Sequence, residues 1–491
     1  MLTSRRPTTY SWVKVPNPST PLLTRSMQGV GMFARGFAND VRELSGSIGL
    51  SGLIPAPRTR PLSFLEALET VGVPTTSKTP EEELLDLLQS AAEVELGLMS
   101  QYLYANYSLK VPAISGVIRM IAIEEMGHFV SVQNLLIACG AEPYFGNGRW
   151  SLPTDFQPFP FKLEPASLGS LAKYTVAEMP DDDQVPTELK PVMRDIIAAA
   201  DALVKSPIEA HRVGLLYTQI YWLLRPNDDP MEDEPWEGFP VARMASKLKG
   251  RHVGDSFIKD ATNRNALPEH WKGNFSNVIV LPISGRQAAL QMIAKVSGQG
   301  EGFGKTPDGH FERFARAWIS AKNSPDIAVT APVNPFYDNA ARPGGGDRIT
   351  SSAGIQFARL ADGLLELVLL CIAENLLLPV GTAPAVRGRP ASAAVLAMRE
   401  GLKVAANALT QIPLTDDQGE RKVCGLPFSA VPDLEADPKA ILKRLDTVLG
   451  GLRTVLSEIA QGNGSDEIKG LALDIGTALD DVESILSSLQ R

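Results

Sequence analysis

Glu125 and His128 stand three residues apart in the run Glu124-Glu125-Met126-Gly127-His128. On a helix, that spacing sends a carboxylate oxygen and an imidazole nitrogen out from one face, a turn apart. The face is otherwise apolar, since Val117, Ile118, Ile121, Val132, Leu135 and Cys139 recur at the same three- and four-residue intervals. A carboxylate in such a seam must be paired or neutralised, because an isolated buried charge costs on the order of several kcal/mol or more. A bound metal ion meets that need. Glu-x-x-His joined by a Glu from a neighbouring helix is the ligand pattern of carboxylate-bridged dimetal bundles. Glu95 is in register for the part, on a preceding stripe of Leu88, Ala92, Glu95, Met99, Tyr102 and Asn106. The other reading is a hydrogen-bonded cluster in which an arginine, Arg119 or Arg313 for example, neutralises the acids. A helical Glu three residues from a His often has only a surface role.

The elements that must position these groups are helices. Thr79-Pro80-Glu81-Glu82 predicts a capped start, with proline in the first turn and Glu82 closing a capping box, for a helix that ends before Pro112. A second helix is expected over about Ile114 to Cys139, with Gly140 as its stop. From Ala141 to about Thr187, prolines and aromatic residues predict an irregular connection, too long for a turn. Helical patterning returns at Pro191 to Val204. Ser206-Pro207-Ile208-Glu209 then opens a helix reaching about Leu224, with Ile208, His211, Leu215 and Trp222 facing inward. Arg225 to Val278 reads as loop with short helices. A helix over about Gly285 to Val296 runs into the glycine-rich Ser297 to Gly302, and another begins near His310-Phe311. The last third reads as helices over about 352–378 and 389–411 and an αα-hairpin turning at Gly462-Asn463-Gly464. No strand run and no repeat stands out.

The organisation predicted is therefore all-α: a basic, partly disordered arm over residues 1–62, a metal-binding bundle over 63–325, a helical extension over 326–432 and a C-terminal hairpin over 433–491. With 491 residues, 44% of them hydrophobic and 21% charged, the chain can bury an ordinary globular core. The first 60 residues carry eight Lys/Arg against two acids, a net +6 that leaves −15 on the remainder. So acidic a body argues against nucleic acid as a partner. The most apolar run, Leu364 to Val380, is interrupted by Glu366, Glu374 and Asn375 and is short for a bilayer span, so it is expected to be a buried helix. Three scattered cysteines, Cys139, Cys371 and Cys424, form no disulfide framework and point to a reducing, cytoplasmic setting. Ser4-Arg5-Arg6 is followed by no apolar stretch of the kind an export signal carries.

Several motifs together resemble one family. Ala92-Glu93-Val94-Glu95 with Tyr102-Leu103-Tyr104, Glu124 to His128 with Asn134-Leu135-Leu136, Gln299-Gly300-Glu301-Gly302, and His310-Phe311-Glu312-Arg313-Phe314 are similar to the ferritin-like domain of the iminophenyl-pyruvate dimer synthases of violacein-type pathways. The similarity runs over roughly residues 63–430 and takes in Phe159-Pro160-Phe161 and Pro332-Val333-Asn334-Pro335. It implies a ferritin-like four-helix bundle core with long irregular connections and additional C-terminal helices. It also implies a non-haem iron site, with one or two ions and manganese as another occupant. The metal ligands it implies are Glu95, Glu125 and His128, with Glu301 and His310 from the glycine-broken fourth region. A loop Glu at 301 also has the plain reading of a solvated residue. The family's third helix carries a glutamate after Ile-Gly, where this chain has Val213-Gly214-Leu215. His211, one turn earlier, is the candidate substitute; a lone helical His is more often a satisfied core or surface residue.

The function implied is an oxidoreductase that uses iron to activate dioxygen or peroxide against a small molecule, such as an amino-acid-derived imine. Tyr102 and Tyr104 would line its pocket or simply pack in the core. The competing function is a scaffold that kept the fold and lost turnover at Leu215, with the N-terminal arm or the C-terminal hairpin docking a second copy or another protein.

Overall fold

The computed structural model describes residues 10–14, 70–74, 78–145, 156–180, 184–204, 212–226, 251–271, 277–300, 308–324, 326–338, 345–417, 419, 421–429, 437–462, 465–487 and 489. Helix α1 spans Pro80–Ser108 and α2 spans Pro112–Ala138. The start of α1 is fixed by a reciprocal capping box: the Glu82 N–H donates to Thr79 Oγ1 at 3.3 Å, and the Thr79 N–H donates to Glu82 Oε2 at 3.0 Å. At the other end of the pair, Gly140 takes a φ of +79°, and the Ala141 N–H reaches back to the Leu136 carbonyl at 3.0 Å. That left-handed turn satisfies carbonyls that α2 would otherwise leave unpaired.

Helices α3 (Leu168–Ala177), α4 (Lys190–Leu203), α5 (Val213–Leu224), α6 (Pro268–Trp271), α7 (Arg286–Gly300) and α8 (His310–Lys322) follow. The bundle closes as a ring, with α1 against α2 and α5, α5 against α7, and α7 and α8 together against α2. Its fourth side is thus supplied by two helices, α7 and α8. Helix α5 is buried along its whole length, so its almost unbroken apolar sequence needs no polar face. The proposed capping box at Ser206 lies outside the described residues.

Two features differ from the expectations drawn from sequence. The connection after α2 contains a helix of its own, α3, capped by Ser167 and lying against α4 and α8. The cap is easily missed because its third helical residue is Ser170 rather than Glu or Gln, and only ten residues follow. There is also a two-stranded antiparallel ladder, β1 (Tyr10–Lys14) with β2 (Thr70–Pro74), in which Trp12 faces Gly72. The two strands are distant in sequence and five residues each, too short to show a period-two pattern.

The C-terminal third packs around α9 (Ser352–Leu377), which meets α10 (Pro384–Leu396) and α12 (Pro438–Gln461). Between α10 and α11 (Lys403–Leu409) lies a π-helical stretch, Ala397–Leu402. Helix α13 (Asp466–Ser487) pairs with α12 and also covers α10, the π-helical stretch and α11. The apolar run around Leu364 is buried in α9 as expected, and among the described residues no helix is long and apolar enough to cross a membrane.

Helix α9 also buries an unpaired acid. Glu374 is 2% exposed, its Oε2 has no hydrogen-bond partner, and burial lifts its pKa from the usual carboxylate range to about 7. Since the folded pKa lies above the unfolded one, this group's stabilising effect is complete below about pH 4.5 and fades as pH rises through 7. Glu374→Gln should therefore stabilise the protein by roughly 1–3 kcal/mol at pH 8 and scarcely at all at pH 5. Urea unfolding at the two pH values checks this, and an equal effect at both would show that the carboxyl is already ionised in the fold.

Candidate metal centre

The bundle interior brings four of the residues singled out by sequence into contact. Glu95 comes from the middle of α1, Glu125 and His128 from one turn of α2, and His310 is the first residue of α8. All four are buried. The Glu125 carboxylate sits between the two imidazoles: its Oε2 is 2.8 Å from His128 Nδ1, and its Oε1 is 3.1 Å from His310 Nδ1. The rings lie near-parallel with centroids 5.5 Å apart. Glu95 Oε2 approaches His128 Nδ1 at 3.6 Å.

Outer hydrogen bonds decide which ring nitrogens face inward. The Gln299 amide donates to the Asn277 carbonyl at 2.9 Å, so its own Oε1 must accept; His128 Nε2, 2.9 Å away, is the donor. His310 Nε2 donates in the same way to Glu124 Oε2 at 2.9 Å. Arg313 holds that carboxylate from behind with a forked contact, Nη1 to Oε1 at 3.1 Å and Nη2 to Oε2. Both Nδ1 atoms are thereby turned toward Glu125. Each imidazole is oriented through its far nitrogen, the arrangement that fixes metal-ligating histidines. The Tyr217 hydroxyl donates to Glu95 Oε1.

Three atoms in this nest make no hydrogen bond: Glu95 Oε2, Glu125 Oε1 and His310 Nδ1. Glu125 Oε1 and His310 Nδ1 lie 3.1 Å apart, and two lone pairs at that distance in a buried interior repel one another unless a positive charge lies between them. Protons on the imidazoles provide one answer. Burial works against a charged His310, but Glu125 and Glu124 outweigh it and lift its pKa to about 9; His128 is raised likewise by Glu125 and Glu95. Glu125 is held below the ordinary carboxylate range, since the two histidines together overcome its burial. A metal cation is the other answer. One donor atom each from Glu125, His128 and His310 lie within 4.8 Å of one another, and the set of carboxylate and imidazole suits iron or manganese.

Besides Glu124, the site contains a second acid that sequence reasoning missed. Glu178, the residue capping the end of α3, is 1% exposed and lines the same small cavity as Glu95, Glu125, His128 and Tyr217. Burial first, and then the charge of Glu125, lift its pKa to about 7, as they do for Glu95. Its signal in the sequence was the Ser167 cap followed by the inward stripe Leu171, Tyr174, Glu178. Leu98, Val213 and Val296 make the cavity's apolar wall. Leu215 is buried on α5, while His211 and Glu301 lie outside the described residues. Neither arginine considered as a neutraliser stands between Glu95 and Glu125: Arg119 is exposed, and Arg313 serves Glu124. Tyr102 donates to Glu178 Oε1 at 2.6 Å, whereas Tyr104 is turned away and donates to the Pro332 carbonyl at 2.5 Å.

Gly127, between Glu125 and His128, admits the chain segment 277–281 against α2. A Cβ there would lie 2.8 Å from the Ile279 carbonyl oxygen and 2.8 Å from Val278 Cγ1. Ser131 and Asn134 donate from the same helix to the Ile279 and Leu281 carbonyls.

Comparison with known proteins agrees with this architecture. Residues 88–317 match the family model described as Ferritin-like. The chain is 27% identical over 372 residues to 2-imino-3-(indol-3-yl)propanoate dimerase of Chromobacterium violaceum. That alignment takes in 66% of this chain and 32% of the relative, so the match spans about a third of that protein's length. No solved structure gives a significant match.

Removing one side of a buried, hydrogen-bonded charge pair costs about 3–5 kcal/mol. Glu124→Ala, which strands Arg313 and releases His310 Nε2, is expected to lower the denaturant midpoint by a corresponding amount. Unchanged unfolding in urea would show that Arg313 finds solvent instead.

Proposed function

We propose that the ferritin-like domain over residues 88–317 holds iron among Glu95, Glu125, His128 and His310 and serves an oxidoreductase reaction on a small imine derived from an amino acid, within a biosynthetic pathway. The observation that carries this reading is the buried group of Glu125, His128 and His310, which offers one donor atom each within 4.8 Å of one another. Support for the substrate class comes from the relative, whose name specifies an indolyl imine.

Iron in this position would supply redox chemistry with dioxygen or peroxide. The chain's own contribution is orientation and exclusion of water. Glu124 and Gln299 keep the inward nitrogens of the two histidines free of protons at Nδ1 when a cation is held. The hydroxyl of Tyr217 fixes one oxygen of Glu95, leaving the other to face the centre. The apolar wall of Leu98, Val213 and Val296 keeps the cavity dry, which strengthens every electrostatic interaction inside it.

A second reading is a catalytically silent metal-binding scaffold, favoured by Leu215 at the place where the resemblance calls for a carboxylate. Metal analysis and oxygen uptake separate the two. Protein purified without chelator should carry iron or manganese, and Glu125→Ala or His128→Ala should reduce bound metal at least tenfold. With ferrous iron and imines generated from tryptophan or phenylalanine, oxygen consumption is expected for the enzyme. Bound metal without oxygen uptake would favour the scaffold, and a chain that binds no iron or manganese at all would sink both.

A further inference from the structure

Resting on the iron reading above, we infer that Glu124 and Arg313 are positioning residues that set how strongly His310 donates to the cation, making it the more electron-rich of the two imidazole ligands. On their inner sides the two rings are alike. Each turns Nδ1 toward one oxygen of Glu125, at 2.8 Å for His128 and 3.1 Å for His310, and they lie near-parallel. Glu95 adds a second carboxylate on the His128 side, 3.6 Å from its Nδ1. What separates the rings is the group behind each.

Behind His128 stands a neutral amide. Gln299 accepts from Nε2 at 2.9 Å, and its own nitrogen is taken by the Asn277 carbonyl. Behind His310 stands an ion. Glu124, wholly buried, accepts from Nε2 at the same 2.9 Å. A hydrogen bond to a carboxylate is roughly twice as strong as one to a neutral acceptor. It draws the Nε2 proton outward and leaves more electron density on Nδ1, which raises the basicity of the ligating atom. With the two bonds equal in length, the charge of the acceptor is the difference that counts.

Arg313 limits that pull. It follows His310 by three residues on α8, so both side chains leave one face of the helix and meet the same carboxylate. Its Nη1 donates to Glu124 Oε1 at 3.1 Å and its Nη2 to Oε2, the oxygen that also takes the His310 proton. An oxygen shared between a guanidinium and an imidazole is a weaker acceptor for each, so the proton stays on Nε2 and His310 stays a neutral ligand. Glu124 therefore pushes electron density toward the cation and Arg313 holds it back, opposite effects delivered through one hydrogen bond. A purely structural pair would show no such opposition, because loss of either partner would loosen the same contact.

The test uses the full chain loaded with ferrous iron in the absence of oxygen. It reads the ferric/ferrous reduction potential by mediated titration, with circular dichroism as the check on fold. Electron density on the ligand favours the ferric ion. Glu124→Gln should therefore raise the potential and Arg313→Gln lower it, while Arg313→Lys, which keeps the positive charge, stays near wild type. Outer partners of metal-bound histidine are worth about 10- to 100-fold in affinity, and a tenfold change in the ratio of ferric to ferrous affinity is about 59 mV. Shifts of about that size and of opposite sign are expected. If Glu124→Gln does not fold, because it strands Arg313, the double variant Glu124→Gln/Arg313→Gln leaves no charge of the pair unmatched and should titrate above Arg313→Gln alone. Shifts of the same sign in the two single variants, no shift in folded protein that holds iron, or a double variant that does not lie above Arg313→Gln would overturn this inference and leave the iron reading standing. A wild type that binds no ferrous iron would overturn both.

Discussion

A carboxylate enclosed by two imidazoles, far from water, is the interaction on which the rest of this bundle's interior depends. Glu125 cannot be ionised there without positive charge beside it, and His128 and His310 cannot bear that charge cheaply in a dry site without Glu125. Helices α1, α2 and α8 are therefore bound to one another by electrostatic necessity as well as by apolar contact. In the next layer, Glu124, Gln299 and Tyr217 each satisfy or orient a member of that trio or its neighbour Glu95, and Arg313 in turn holds Glu124. Such a network is strong when every partner is present and fragile when one is lost.

Part of this was legible in the chain because helical periodicity is a local property. Glu95, Glu125 and His128 recur in step with apolar residues, and side chains in step with a buried stripe are buried with it. The all-α ferritin-like architecture follows from the same stripes together with the similarity of motifs. Capping chemistry fixed the start of α1 at Pro80 and the glycine at 140 its partner's end. The place of His310 was suggested by resemblance alone, since nothing in the periodicity of α8 marks its first residue.

Other parts were invisible for equally physical reasons. Glu124 is one residue from Glu125 and so is turned about 100° round the helix, a direction that local pattern assigns to the outside. It is buried because α8 lies over that flank and brings Arg313, a tertiary fact that no stripe within α2 encodes. Glu178 sits at the close of a ten-residue helix inside a stretch dominated by proline and aromatic residues. The paired strands are separated by more than fifty residues of chain, and neither is long enough to advertise itself.

The bare backbone at Gly127 has an effect at a distance. By letting the segment 277–281 lie directly on α2, it fixes Asn277, whose carbonyl engages the amide of Gln299, whose oxygen in turn takes the proton of His128. The tautomer of an imidazole is thus governed by a residue with no functional group. A methyl group at 127 would remove none of the acids or imidazoles, yet it would lift this strap and leave the ring free to turn its other nitrogen inward. Sequence drift at that glycine would therefore alter the chemistry of the centre while leaving its whole inventory of polar side chains intact.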